Sequence, residues 1–307
     1  MQRCTAIMLS LLALGAMPFA ACADYFTDIS HGFALGEVQE LMVGEQVAPI
    51  IEVESQTPLS QGVAIILVEP FLSNFSLAQS KELADYLSQK GWRVVISPFN
   101  MSMMPLSEDT ASETTGASSS ATDPSDAASS TSNKEDSSVS DSVSIHPRST
   151  NLTQYFDFDD TTQQLSTQLL ALNNKLQNVQ GYRLVIAQGM IAAAFLDATS
   201  KNSDFEPDSF ISISPYWPQH TVNKGISKLI AASTFPVLDL SIEGLSDWES
   251  NTVVMRRNRA KTSLKLHYRQ IILPSSNSVF SLNKNQKTPH IQLVANNTIG
   301  WTRYLGW

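Results

Sequence analysis

The sequence predicts an α/β fold, a three-layer sandwich with helices on both faces of a mainly parallel central sheet. Three observations predict it. Short apolar runs bounded by Gly or Pro alternate with stretches of helical period along most of the chain. The first such run is apolar at every position rather than at every second one, as a strand covered on both faces requires. The composition suffices for a core: of 307 residues, 42% are apolar and 16% charged.

The elements follow in order. Residues 47–53 read as an extra edge strand. Val63-Ala64-Ile65-Ile66-Leu67-Val68, between Gly62 and Pro70, reads as a strand buried on both faces. A helix comes next, with Leu77, Ala78, Leu83, Ala84 and Leu87 apolar and Gly91 at the C-cap position. Residues 92–98 are the following strand, so this βαβ unit carries a right-handed crossover. Leu165, Leu169, Leu172 and Leu176 then fall at helical spacing, with Gly181 as the stop. Strands are expected at 183–187, 209–214, 236–241 and 268–273. Helices separate the last three, one around 226–232 and a longer one over 248–261.

Two segments stand outside this pattern. Arg3, an apolar stretch over 6–16 and the small-x-small trio Ala21-Cys22-Ala23 form a signal peptide, with cleavage before Asp24. The alternatives are an anchor left uncut and a lipid-modified Cys22, which would make an envelope lipoprotein. After cleavage no membrane span is expected, and the expected compartment is the periplasm or the exterior. Between Ser107 and Ser144, 19 of 38 residues are Ser or Thr, with eight acids and one base. Such a stretch cannot offset its ordering entropy, so it reads as a disordered acidic insertion. The expected organisation is a signal peptide over 1–23, one domain made of 24–106 and 145–307, and the insertion at 107–144. The insertion carries most of the net charge of −9, so the domain itself is near neutral.

These figures also exclude functions. The acidic balance argues against nucleic-acid binding through overall charge. Cys4 and Cys22 are the only cysteines, which rules out a disulfide scaffold and a Cys-rich metal site. No P-loop, dinucleotide-binding or zinc spacing is present, so no cofactor and no metal is expected.

Chemistry in such sheets lies beyond the C-terminal strand ends. There, residues 183–186 enter a turn at Gln188-Gly189-Met190 before the small run Ala192-Ala193-Ala194. The placement matches the nucleophile elbow of α/β-hydrolases, a strained strand-to-helix turn that presents a serine. Here the serine slot holds Gly189, which tolerates the turn and has no nucleophilic atom.

With the signal peptide, Gly91-Trp92, Gln188-Gly189, Tyr216-Trp217-Pro218, Pro236-Val237-Leu238-Asp239, Tyr268-Arg269-Gln270 and Gly306-Trp307 in this order, the chain resembles a known family. It is similar to the uncharacterised α/β-hydrolase-like proteins of Gram-negative bacteria grouped as domain of unknown function thirty-five-thirty. The resemblance runs from about Gly32 to Trp307, the insertion excepted, and implies fold and compartment but no reaction. Where family members have His before the elbow glycine, this chain has Gln188.

A triad elsewhere would need a serine, an acid and a histidine in that order. Ser212 and Ser214 at a strand end are substitute nucleophiles, Asp247 is the acid with Asp239 its rival, and His290 is the base. His267 precedes the last strand, and His31, His146 and His220 are poorly placed. Arg256, Arg257, Arg259, Lys261 and Lys265 read as a solvated helix end, and Asp157, Asp159 and Asp160 as a helix start. Tyr216, Trp217 and Trp301 read as core more readily than as pocket walls. The expected protein has the hydrolase fold without its nucleophile and binds a small ligand or an envelope protein. The rival is an esterase-like enzyme using Ser214, Asp247 and His290.

Overall fold

The computed structural model describes residues 37–69, 75–100, 156–202, 204–275 and 289–307. The signal peptide and the Ser/Thr-rich insertion lie outside these residues. Eight strands form one sheet: β1 (Val38–Val43), β2 (Gln46–Val53), β3 (Gly62–Val68), β4 (Trp92–Pro98), β5 (Tyr182–Gln188), β6 (Ser209–Ile213), β7 (Val237–Ile242) and β8 (Tyr268–Leu273). Their spatial order is β1-β2-β4-β3-β5-β6-β7-β8. β1 and β2 run antiparallel at one edge; from β4 to β8 every pairing is parallel. The fold is thus the expected α/β sandwich.

β3 is buried at all seven positions, which is why its sequence is a continuous apolar run. Helices cover both faces. On one side α2 (Phe158–Leu176), α3 (Gly189–Lys201) and α4 (His220–Ala232) pack on Val63, Ile65, Leu67, Val185 and Phe210. On the other, α1 (Leu77–Ser88) and α7 (Pro289–Tyr304) pack on Ala64, Ile66, Leu184, Ile211 and Leu238. The acidic trio opens α2: Asp157 is its N-cap, accepting a hydrogen bond from the Asp160 N–H at 2.9 Å. Trp217 and Trp301 are core residues, each 1% exposed, so large aromatics here serve packing.

Four expectations are corrected. The 47–53 strand is not an edge, because β1 lies outside it. β1 buries only Leu41, so neither alternation nor an apolar run announced it. Gly91 and Gly181 cap no helix: α1 ends at the C-cap Gln89 and α2 at Gln177, and both glycines lead into strands. The helix expected over 248–261 is two, α5 (Asp247–Ser250) and α6 (Val253–Thr262). Across the junction the Arg256 guanidinium reaches Thr252 Oγ1 at 2.6 Å and Glu249 Oε1 at 2.8 Å.

Candidate functional site: a glycine elbow facing a buried carboxyl

β5 ends at Gln188 and α3 begins at Gly189 with no intervening loop. Gly189 has φ +66, in the left-handed region that glycine enters without a Cβ penalty. The expected sharp turn is therefore present at Gln188-Gly189-Met190.

What fills the slot was not foreseen. A Cβ at Gly189 would stand 2.8 Å from Oε1 of Glu69 and 3.4 Å from Oε2. Glu69 follows β3, and the β3–β5 register pairs Leu67 with Ala187. Two residues further on, Glu69 is therefore level with Gly189, on the face that carries α3. Its side chain lies where a nucleophile's would be.

Glu69 is 5% exposed. Burial pushes its carboxyl up to about 7, although hydrogen bonds from the backbone N–H groups of Ile191 and Met190 favour the charged form. Those are the first free donors of α3, and a helix N-terminus offers a carboxylate both N–H groups and a favourable dipole. In α/β-hydrolases the N–H after the nucleophile position helps form the oxyanion hole. Here that residue is Met190, and its N–H is turned to an internal carboxyl.

No ion pair with Glu69 is found among the described residues, and its Oε2 has no hydrogen-bond partner there. The buried Nε2 of Gln188 likewise has none. Tyr216, whose N–H donates to the Gly189 carbonyl at 3.3 Å, has its phenol pushed up by burial and by Glu69.

The substitute triad does not assemble. Ser212 is fully buried in β6 beside Asp239 of β7, and its Oγ has no hydrogen-bond partner among the described residues. Ser214 is also fully buried, and its Oγ accepts the Ile242 N–H at 2.8 Å. Its backbone has φ +44, in the left-handed region. Asp247 opens α5 and is exposed, whereas His290 is buried in the first turn of α7, its imidazole pKa lowered by that burial. No hydrogen bond or ion pair links Ser212, Ser214, Asp247 and His290 among the described residues. His220 lies against the Trp248 ring and His267 against Tyr304. His31 and His146 fall outside the described residues.

Asp239, the rival acid, belongs to a closed network. Arg256 Nε donates to its Oδ2 at 2.9 Å and Nη2 to its Oδ1 at 3.2 Å. Tyr268 Oη and Gln270 Nε2 donate to Oδ2, each at 2.8 Å. Glu249 completes the set, accepting from Arg256 and from Ser241 Oγ at 2.6 Å. No acceptor capacity faces an imidazole.

Comparison with solved structures shows the fold. Est1E from Butyrivibrio proteoclasticus is 9% identical with a TM-score of 0.51, over 87% of this chain and 98% of that one. An alpha-beta serine hydrolase homologue from Coxiella burnetii is 10% identical, TM-score 0.50, over 86% and 98%. The esterase domain of a Rhodothermus marinus protein is 8% identical, TM-score 0.50, over 87% and 97%. No curated protein matches the sequence. With its α/β-hydrolase fold and glycine elbow, the chain belongs to the family described as protein of unknown function (DUF3530), whose sequence profile matches residues 34–292.

Proposed function

We propose that this is an exported α/β-hydrolase-fold protein without serine-nucleophile chemistry, which acts in the envelope by binding a small ligand or a protein partner. One observation carries the reading: the elbow holds Gly189, and the Glu69 carboxyl stands 2.8 Å from where its Cβ would be. Acyl transfer needs a nucleophilic atom and N–H donors free to receive the developing oxyanion. The first is absent from the elbow, and the second are directed at Glu69. A cavity of about 360 Å³, among the described residues, opens at the C-terminal end of β4. It is lined by Ala48, Phe99, Asn100 and Gln168, a mixture of apolar surface and amides suited to a small ligand. Export rests on the N-terminal segment, and mass spectrometry of the mature N-terminus separates a start at Asp24 from a lipid-modified Cys22.

A fluorophosphonate probe on the purified, folded chain tests the central point. Neither labelling nor hydrolysis of short acyl esters is expected. Labelling that disappears on Ser212→Ala or Ser214→Ala establishes the rival serine hydrolase instead.

A further inference from the structure

At the other end of the sheet, away from the elbow, the C-terminal part of the chain gathers positive charge. Glu249 is the last acid in the sequence, and the 58 residues after it carry nine Lys and Arg. Arg256 turns inward to Asp239 and Glu249. Arg257, Arg259, Lys261 and Arg269 are exposed, and none has an ion-pair partner among the described residues. α4, the helix packed against α6, adds Lys224 and Lys228 and contains no acid. Arg257, Lys261, Lys265 and Arg269 together line a cavity of about 270 Å³ between α6 and the edge strand β8. Lys265 is anchored there by donating to the carbonyls of Ser233 and Phe235, the latter at 3.0 Å. Four cations share one recess; Glu206, bonded to Thr234 between the two carbonyls that Lys265 binds, is near it but forms no ion pair with them among the described residues.

The turn between α6 and β8 adds the second element. Leu264 is 84% exposed and Leu266 80% exposed, an unusual position for neighbouring leucines. They are held out by a strained backbone, with Leu264 at φ +52 and His267 at φ +51. Cations around a projecting pair of large aliphatic side chains are the arrangement a peripheral protein presents to a lipid interface. The cations meet phosphates and the aliphatic side chains enter the headgroup boundary.

We propose that α6, the 262–267 turn and the edge strand β8 form a docking surface for an anionic phospholipid bilayer. Arg257, Lys261, Lys265 and Arg269 take headgroup phosphates in the recess, and Leu264 and Leu266 insert beside them. The surface is separate from the elbow and from the cavity at the end of β4, and it holds whether or not the proposed ligand binding does. It also lets an acidic protein meet an anionic membrane, because the Debye length of about 10 Å at 0.1 M salt hides distant charges of the chain.

Vesicle flotation of the full chain decides the matter. Vesicles of phosphatidylcholine with phosphatidylglycerol should bind it at least ~10-fold more tightly than phosphatidylcholine alone, and added salt should weaken the binding. The Lys261→Glu and Arg269→Glu pair should abolish most of that preference, roughly 10-fold or more. Leu264→Ser and Leu266→Ser should each weaken binding to the same vesicles about 5-fold at unchanged charge. All four positions are exposed, and circular dichroism should show the variants folded. Equal binding to neutral vesicles, or none to anionic ones, overturns the proposal. Complete competition by inorganic phosphate with no effect of the leucine variants also overturns it, and leaves a small-anion site in its place.

Discussion

Two buried carboxyl sites sit on the same sheet and are handled in opposite ways. Asp239 is fully buried and meets Arg256, Tyr268 and Gln270, so its charge is matched and its acceptor sites are filled. Glu69 is nearly as buried and, among the described residues, meets helix N–H groups and no cation, so its pKa rises to about 7 and one oxygen has no partner there. A completed buried network is scaffold: it fixes α5, α6 and β8 around one guanidinium and offers nothing to a ligand. At Glu69 burial raises the pKa, and the N–H groups of Met190 and Ile191 only partly offset it. The difference is one of pairing: Asp239 faces a guanidinium, and Glu69 faces the N-terminus of α3.

The contrast is broken most severely at Arg256. Arg256→Leu leaves Asp239 and Glu249 buried without a counter-charge and should cost about 3–5 kcal/mol, read as a lower urea midpoint. A loss below about 1 kcal/mol would show that this network is no scaffold.

Glu69→Gln tests the other side. The folded carboxyl has its pKa raised to about 7 from 4.5, so the native state holds the proton more tightly than the unfolded chain. Stability from this group is present below about pH 4.5 and is lost as pH rises through 7. At pH 8 the accumulated penalty is about 3 kcal/mol, by order of magnitude. The glutamine variant should therefore be the more stable protein at pH 8, with the gap closing toward pH 4. A parallel pair of stability profiles would contradict the assignment.

The smallest effect sharpens the link between Glu69 and the elbow. Gly189→Ala should cost about 1–2 kcal/mol for the left-handed backbone, plus the contact with Glu69. In a Glu69→Ala background the contact part should vanish while the backbone part remains, so the two substitutions should be non-additive in thermal melts. Strict additivity would place Glu69 away from the elbow in solution.

Most of the fold was legible because its strands are doubly covered and its helices have one apolar face. β3 through β7 announce themselves as short apolar runs, and α1, α2 and α4 by an apolar face. β1 did not, since a strand with one buried residue has no period to read. The split between α5 and α6 had no Gly or Pro to mark it, since 249–253 reads Glu-Ser-Asn-Thr-Val. The elbow was legible at Gln188-Gly189-Met190, where the turn is local. Glu69 was missed because the reading stopped at the last apolar residue of its strand, Val68. Its partner lies 120 residues away, and only the β3–β5 pairing brings them level. Ser212, Ser214, Asp247 and His290 were chosen by chain order, which a single sequence supplies freely, whereas convergence in space is what catalysis requires.

Gly62 and Gly181 meet at the base of β3 and β5, where a Cβ on Gly62 would fall 2.1 Å from the Tyr182 carbonyl oxygen. That contact pairs Gly62 with Tyr182 and so sets a common zero for two strands. From it, Glu69 and Gly189 are each seven residues along their own chain segments. The geometry at the far end is thus stored as a count, not only as the identity of the residues there. Deleting one residue inside β3 would draw Glu69 back by about 3.3 Å and reverse the face on which it emerges, with every chemical group still present. The site is a length measured from a fixed origin, and it can be lost by miscounting as surely as by mutation.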